Sequence, residues 1–297
     1  MVEPTSVVFV FLDGVGLGPP DPVVNPFTTA ATGFITDALG GRLVQGTPPR
    51  TSHNLVYRSL DATLGHEGLP QSATGQTAIL TGTNAADLMN GHYGPWPGPT
   101  LRAELARGNL FHEAQAATGA ALANAYPPRY FEHARGRRLR LNAMAAAAVA
   151  ADVPQRDLAY YERGEAVAVD LKGTYFQSLG HRGTDPADSA ASLLKLAKGT
   201  TFTVLDVWLT DTLGHARDLA GAMELIERLD AFLAALATDL GDATLLLTSD
   251  HGNIEDLGTK THTRNPVPLL ALGKGALAFK DCDSLLDVAP AVRRLWR

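Results

Sequence analysis

Three short apolar runs, each followed within two residues by an aspartate, constrain the fold of this chain more than any other feature. The runs are Val7–Leu12, 202–209 and 245–248, and the aspartates that follow them are Asp13, Asp211 and Asp250. Apolar runs of this length are typical of strands that are buried on both faces of a sheet. Because parallel strands bring their carboxyl ends to one edge of an open sheet, we expect the three aspartates at that edge.

Strand and helix patterns alternate along most of the 297 residues. Further strands are predicted at 120–125 and 267–272, and helices at 28–39, 100–107, 110–118, 186–196, 217–236 and 285–295. The polar run after Pro48-Pro49 predicts a loop. The alternation predicts an α/β fold, with a doubly wound, mostly parallel sheet between two layers of helices.

The amino-acid composition between residues 126 and 183 differs from that of the flanking sequence. Five arginines follow Pro127-Pro128, namely Arg129, Arg135, Arg137, Arg138 and Arg140. The alanine-rich run 143–151 predicts a helix because alanine has the highest helix propensity. We expect residues 1–125 and 184–297 to form the core and residues 126–183 a small inserted cap. Its arginines either form a solvated helix face or bind a remote charge of a substrate.

Composition limits the possible partners of the chain. The net charge of -6 gives no general attraction to nucleic acid or to an anionic membrane. Hydrophobic residues make up 45% and charged residues 19%, as in an ordinary soluble globular protein. The single cysteine, Cys282, excludes an intramolecular disulfide and a thiolate metal cluster. The sequence shows no signal segment and no apolar run of the ~20 residues that span a bilayer, so we expect a cytoplasmic enzyme.

Three histidines accompany the aspartates. His251 follows Asp250 directly, His215 comes four residues after Asp211, and His262 lies further along the last segment. Carboxylate oxygens and imidazole nitrogens are common ligands of divalent metal ions. Six such ligands at one sheet edge are about what two ions need once water and substrate fill the open positions. Taken singly, an aspartate after a strand is usually a turn residue or helix cap, so the prediction depends on the combination.

A serine supplies the candidate nucleophile. The run 68–80 predicts a loop that passes into a helix, with Ser72 or Thr74 in the first turn. A hydroxyl there faces free N–H groups and the positive end of the helix dipole, which suits phosphate. The alternative is an N-cap serine without a catalytic role.

Glycines after Asp13 superficially match a dinucleotide-binding loop. An acidic residue opens this loop, however, and Pro19-Pro20 occupy the place where a helix should begin to hold the pyrophosphate. The sequence therefore argues against a nucleotide-dependent dehydrogenase.

Together these motifs resemble the alkaline phosphatase superfamily, and more narrowly its cofactor-independent phosphoglycerate mutase and phosphopentomutase branch. The matching motifs are Asp13-Gly14, Ser72-Ala73-Thr74-Gly75-Gln76, Asp211-Thr212-Leu213-Gly214-His215, Asp250-His251-Gly252-Asn253 and His262-Thr263-Arg264-Asn265-Pro266-Val267-Pro268. Two features depart from the mutases. Gln76 stands where they carry a histidine, and the insert is much smaller than the second domain of the phosphoglycerate mutases.

The resemblance implies an alkaline phosphatase-like three-layer core and two-metal phosphoryl transfer from a small phosphate ester. Ser72 would be the nucleophile of a phosphatase or phosphomutase. One ion would be held by Asp13, Ser72, Asp250 and His251, and the other by Asp211, His215 and His262. Manganese or zinc is the expected metal, and magnesium is a further candidate. Arg264, Lys260 and Thr74 are candidate substrate contacts.

Other functions fit the same sequence. A phosphodiesterase, a phosphonate hydrolase or a sulfate-ester hydrolase could use the same core. A metal-binding protein without catalytic activity would also retain these ligands, although it would not need Ser72. Assays on phosphate, phosphodiester and sulfate esters separate these alternatives.

Overall fold

A seven-stranded sheet organises the computed structural model, which describes residues 4–135 and 140–297. Its strands are β1 (Val7–Leu12), β2 (Arg50–Ser52), β3 (Leu55–Leu60), β4 (Ala120–Leu122), β5 (Phe202–Val207), β6 (Thr244–Thr248) and β7 (Val267–Gly273). Their order across the sheet is β2-β3-β7-β6-β1-β5-β4. The three strands that precede the aspartates, β6, β1 and β5, are therefore neighbours.

Most strands run in one direction. β1 pairs in parallel with both β5 and β6, and β4 pairs in parallel with β5. β7 is antiparallel to β6, and β3 is antiparallel to β7, so β3 runs with the majority. Only β7 and the short edge strand β2 run the other way among these strands. The prediction of a mostly parallel α/β sheet is confirmed.

Helices cover both faces of the sheet. In the described residues they are α1 (Gly33–Leu39), α2 (Ser72–Thr81), α3 (Ala85–Met89), α4 (Pro99–Arg107), α5 (Leu110–Gln115), α6 (Pro128–Arg135), α7 (Ala143–Ala150), α8 (Leu158–Glu162), α9 (Thr174–Ser178), α10 (Pro186–Ala197), α11 (Leu209–Ala216), α12 (Leu219–Thr238) and α13 (Val288–Arg294). Three 3-10 turns occupy Pro26–Thr28, Ala276–Phe279 and Leu285–Asp287.

The central strand β1 shows how the layers form. Its side chains alternate between two hydrophobic clusters, because successive residues of a strand point to opposite faces. Phe9 and Phe11 pack on the face covered by α2, α5, α7 and α13, whereas Val8 and Val10 pack on the face covered by α1, α10 and α12. All four side chains are completely buried. The result is the predicted three-layer arrangement.

One prediction of local structure was wrong. The run after Pro48-Pro49 forms the β2–β3 hairpin instead of a loop. Its first strand is polar and exposed, and the second is recruited by pairing with β7, a contact distant in sequence. The long helix predicted at 217–236 is present as α12 and begins two residues later, because Arg217 adopts a left-handed conformation (φ 55°) and ends the preceding helix α11.

Part of the predicted cap packs into the core. The alanine-rich helix α7 buries Met144, Ala147 and Ala148 in the same cluster as α2 and α4. Small side chains allow helices to approach closely, and this helix lies against α2, α4 and α5. Val167 also pairs with Asn124 beside the edge strand β4. The division at residues 126 and 183 stays a prediction.

The expected cytoplasmic location raises the question of whether any of the described helices can span a membrane. None of them is both long and apolar enough to cross a membrane. The expected cytoplasmic location stays a prediction.

We expect Ala147→Leu to lower the free energy of unfolding by about 1–3 kcal/mol, because extra methylene groups overpack a close helix contact. The matched control is Val149→Leu on the exposed face of the same helix, where Val149 is 44% exposed. That substitution should change the free energy of unfolding by no more than about 0.5 kcal/mol. Urea unfolding measures both values. Equal effects at the two positions would contradict the packing of α7 in the core.

Candidate active site

The carboxyl ends of three neighbouring strands converge with the start of α2. Asp13 follows β1, Asp250 follows β6, and Asp211 lies in the first turn of α11 beyond β5. Ser72 is the first residue of α2, a helix whose residues are all buried. The Gly14 N–H donates to Asp250 Oδ1 at 3.3 Å, which ties the ends of β1 and β6 together.

Two glycines allow these elements to approach. A Cβ atom at Gly75 of α2 would lie 2.8 Å from the Asp250 Cβ. A Cβ atom at Gly14 would lie 2.7 Å from Asp211 Oδ1, and the φ of 71° at Gly14 also favours glycine. A larger side chain at Gly14 or Gly75 would therefore collide with an aspartate of the site.

Asp211, His215 and His262 form the first group of ligand atoms, all within 4.8 Å of one another. The Nε2 atoms of the two histidines are 3.2 Å apart. Asp211 Oδ2 lies 3.3 Å from His215 Nε2, and Asp211 Oδ1 lies 3.6 Å from His262 Nε2. We call these three residues the histidine-rich group.

Backbone carbonyls fix the orientation of both imidazoles. His215 Nδ1 lies 3.0 Å from the Lys260 carbonyl oxygen, and His262 Nδ1 lies 2.8 Å from that of Pro70. Because a carbonyl oxygen only accepts, each Nδ1 atom carries the hydrogen and donates it. In the neutral rings the Nε2 lone pairs therefore face Asp211, an arrangement common among metal-binding histidines.

The charge state of His262 suits a ligand. Burial, reinforced by the neighbouring His251, lowers the pKa of His262 to about 4. His262 is therefore neutral at pH 7, and a neutral imidazole is the form that binds a metal ion.

Asp13, Asp211 and His251 form a second group with the same spacing. His251 Nε2 lies 3.3 Å from Asp13 Oδ1 and 3.6 Å from Asp250 Oδ2. The Ser72 Oγ lies 2.9 Å from the same nitrogen. Asp211 belongs to both groups, so it lies where they meet. We call Asp13, Asp211 and His251, with the adjacent Ser72 and Asp250, the carboxylate-rich group.

Burial and mutual repulsion disfavour negative charge on the aspartates of the carboxylate-rich group. Desolvation, together with the charge of Asp250, raises the pKa of Asp13 well above its ordinary value. Desolvation likewise raises the pKa of Asp250. Burial opposes a charge on His251, but Asp250 and Asp13 outweigh it and raise the pKa of His251 to about 10. The carboxylates therefore favour positive charge at this position.

Gln76 supports both buried aspartates. Its Nε2 donates to Asp13 Oδ2 at 3.3 Å and to Asp250 Oδ2 at 3.0 Å. Its Oε1 accepts from the Met144 N–H at 3.4 Å, which links the site to α7. In the sequence Gln76 was noted only as a departure from the mutases. Its position one helical turn after Ser72 was the signal for a side chain on the same face.

Two further supporting residues were not predicted. Asn253 Nδ2 donates to Asp211 Oδ1 at 2.6 Å. Glu255 is completely buried and accepts from the Gly16 N–H at 2.9 Å, the Asn253 N–H at 2.7 Å and the Thr263 hydroxyl at 2.5 Å. Glu255 lies in a polar loop, where no local pattern distinguishes it from a surface acid.

The three predicted substrate contacts differ in their exposure and in their hydrogen bonds. The exposed Arg264 donates from Nη1 to the Gly68 carbonyl at 2.6 Å. Lys260 is exposed and lies beside His215 through its carbonyl oxygen. The Thr74 hydroxyl is buried and donates to the Gln71 carbonyl at 3.0 Å. All three roles stay predictions.

The arginines expected to bind a remote charge are described only in part. Arg129 and Arg140 are exposed. Arg137 and Arg138 lie outside the described residues, as does the side chain of Arg135.

Asp206 is a buried acid outside the predicted site. It lies in β5, and its Oδ2 accepts from Asn142 Nδ2 at 2.6 Å. No described group within hydrogen-bonding distance pairs with its Oδ1. Burial raises the pKa of Asp206 to about 7, although the bond from Asn142 acts in the opposite direction.

The raised pKa of Asp206 predicts a pH dependence of stability. The folded protein binds this proton more tightly than the unfolded chain, so its stabilising contribution falls as the pH rises toward 7. We expect a loss of about 2–3 kcal/mol between pH 5 and pH 8, since each pKa unit corresponds to ~1.4 kcal/mol. Asp206→Asn should lack this component. Urea unfolding of both proteins in a chelating buffer measures it, and parallel pH profiles would refute it.

Comparison with known proteins agrees with this geometry. The family model described as "Metalloenzyme superfamily" matches residues 5–295. The 2,3-bisphosphoglycerate-independent phosphoglycerate mutase of Halobacterium salinarum is 38% identical over 99 residues, which cover 30% of this chain and 20% of that enzyme. The match therefore spans about a fifth of the length of this curated relative.

Solved structures share the fold at low sequence identity. The PH0037 protein from Pyrococcus horikoshii superposes with a TM-score of 0.59 at 16% identity, over 100% of this chain and 98% of that chain. Alkaline phosphatase from the Antarctic bacterium TAB5 gives a TM-score of 0.57 at 13% identity, over 100% of both chains. With a family model that matches nearly its whole length, the chain belongs to the metalloenzyme superfamily and is a metal-dependent enzyme.

Proposed function

We propose that this enzyme transfers a phosphoryl group from a small phosphate ester to Ser72 with the help of two divalent metal ions. One observation carries the proposal. The Ser72 Oγ lies 2.9 Å from His251 Nε2, at the start of a buried helix and beside two ligand groups that share Asp211. A nucleophile, candidate ligands and a helix N-terminus at one point suit the charge of a phosphoryl group.

The residues fit metal ions on structural grounds. Asp13 Oδ1 is buried, accepts no hydrogen bond of regular geometry from the described residues, and lies 3.3 Å from His251 Nε2. The two Nε2 atoms of the histidine-rich group lie 3.2 Å apart beside Asp211, a spacing at which one cation can contact both. The donors are carboxylate oxygens, imidazole nitrogens and one hydroxyl, which suit manganese or zinc, with magnesium as a further candidate.

The chain's own residues have distinct roles in this proposal. The Ser72 Oγ forms a bond to phosphorus while the ester P–O bond breaks. The proton of Ser72 passes to solvent, and the departing alcohol oxygen takes one from solvent. Gln76 and Asn253 hold the aspartates in place through their hydrogen bonds. Bound metal ions would neutralise the phosphoryl oxygens and lower the pKa of the serine hydroxyl and of an attacking water.

A second step decides between two reaction types. If a water oxygen attacks the phosphoserine, Ser72 is released with inorganic phosphate and the enzyme is a phosphatase. If a hydroxyl of the bound product attacks, the phosphoryl group returns and the enzyme is a mutase, as the curated relatives are named. An assay that detects both free phosphate and isomerised product separates the two. Phosphodiesters, phosphonates and sulfate esters in the same panel test the alternative hydrolases.

We expect Ser72→Ala to lower kcat on 4-nitrophenyl phosphate by roughly 10³-fold or more, because it removes the covalent route. Acid quench of the wild type with a ³²P-labelled ester should trap label on Ser72. The control is Ser52→Ala in the exposed strand β2, which should retain activity. Full turnover by Ser72→Ala with manganese or zinc present would overturn the proposal.

The shared position of Asp211 predicts metal content. We expect the wild type to bind two equivalents of manganese, His215→Ala to bind one, and Asp211→Asn to bind less than one. Asp211→Asn removes a negative charge that belongs to both ligand groups, whereas His215 belongs to only one of them. Calorimetric titration and elemental analysis give the stoichiometry. The control is Asp242→Asn, whose side chain is 93% exposed. Two tightly bound ions in Asp211→Asn would contradict this assignment.

A further inference from the structure

A cavity of about 340 Å³ opens beside the candidate active site. Aromatic side chains form much of its wall, and two arginines lie at it. The residues that carry the argument are Trp96, Tyr126, Tyr130, Trp208, Arg129 and Arg140. We call this cavity the aromatic pocket. Its volume falls within the range of roughly 300–1,000 Å³ that is typical of small-molecule sites.

The segment around Trp96 and the helix that contains Ser72 are adjacent. The Thr74 N–H donates to the Tyr93 carbonyl at 3.1 Å, and the Tyr93 N–H donates to the Thr74 hydroxyl at 3.3 Å. Trp96 follows three residues later and is 43% exposed. The segment that carries this ring is therefore hydrogen-bonded to the helix that begins at Ser72, and the ring is accessible to a ligand.

The other walls also adjoin the site. Asn142 lines the pocket and caps α7, whose Met144 N–H donates to Gln76. Trp208 also lines the pocket and immediately precedes α11, the helix that carries Asp211. The segment around Trp96, helix α7 and the start of α11 thus connect the pocket to Thr74, Gln76 and Asp211.

Three of the rings lie nearly parallel to one another. The ring centroids of Tyr126 and Tyr130 are 4.0 Å apart with an interplanar angle of 20°. Trp208 lies parallel to Tyr126, at 6.1 Å and 6°. Tyr130 and Trp208 remain partly exposed, so they can contact a ligand. Such an arrangement favours a planar ring over a flexible alkyl chain, because stacking adds to the burial of apolar area.

The arginines add positive charge where an anionic ester would enter. Arg140 lies over the Trp96 ring at 5.1 Å, and Arg129 lies over the Tyr175 ring at 5.2 Å. Both are exposed in a chain whose net charge is -6. A local cationic rim opposes this overall charge and attracts a phosphate ester.

We propose that the aromatic pocket binds the alcohol part of the substrate and that this part carries a planar aromatic ring. The inference rests on the proposed function, because it assumes that the phosphoryl group lies at Ser72. It names a class of substrate, phosphate monoesters of aromatic or base-bearing alcohols. An aryl phosphate and a nucleoside monophosphate share this chemistry.

The kinetic test compares three esters in the metal-loaded enzyme: 4-nitrophenyl phosphate, adenosine 5′-monophosphate and glycerol 3-phosphate. We expect Trp96→Ala and Tyr130→Leu to lower kcat/KM about tenfold for at least one ring-bearing ester, mainly through KM. The same variants should change kcat/KM for glycerol 3-phosphate by less than about twofold. Comparison of 4-nitrophenyl phosphate with adenosine 5′-monophosphate shows whether the pocket prefers a phenyl ring or a nucleobase. The control is Tyr160→Leu, a partly exposed tyrosine that does not line the pocket.

A binding test separates this proposal from the proposed function. Two of the three tryptophans line the pocket, so adenosine, which carries no phosphate, should quench the fluorescence saturably in a chelating buffer. Trp96→Ala should weaken that binding several-fold, and Tyr160→Leu should not. Saturable quenching without turnover of any ester would overturn the proposed function and support the pocket. Turnover with equal effects of the variants on all three esters would overturn the pocket and support the function.

Discussion

The buried negative charge at the ends of β6, β1 and β5 is the constraint on which the rest of the site depends. Asp13 and Asp250 are almost fully withdrawn from water, and Asp211 is half-buried beside them. Buried carboxylates are costly unless hydrogen bonds or a cation compensate them. The surrounding structure supplies both a set of donors and candidate ligands for cations. The fold is therefore arranged to keep the carboxylates close in spite of their mutual repulsion.

Hydrogen bonds from neutral side chains hold this arrangement. Gln76 donates to Asp13 and Asp250 with one amide group, and Asn253 donates to Asp211. Neutral donors support a carboxylate without a competing charge, which leaves the negative field available to a cation. Glu255 in turn holds the backbone of Asn253. Such supporting contacts fix the geometry of ligands, and their loss commonly weakens metal binding.

The segment between residues 126 and 183 has two functions in the fold. Its alanine-rich helix α7 is part of the hydrophobic core, and the Met144 N–H at its start supports Gln76. Tyr126 and Tyr130, near the beginning of the segment, line the aromatic pocket. A segment that contributes to both the core and the pocket couples the position of the pocket to the candidate metal ligands. In the proposed function, this segment would set the identity of the alcohol and the residues at the sheet edge would carry the phosphoryl chemistry.

The sequence by itself determined the central strands of the sheet and the edge at which the candidate ligands lie. Apolar runs locate β1, β5, β6 and β7 because burial on both faces leaves a local, unbroken pattern. The aspartates that follow three of these strands had to converge once the strands were parallel. Only tertiary structure decided the rest. The β2–β3 hairpin depends on pairing with β7, a partner more than 200 residues away in sequence. Gln76 and Glu255 depend on donors and acceptors from distant loops, and no local periodicity encodes such partners.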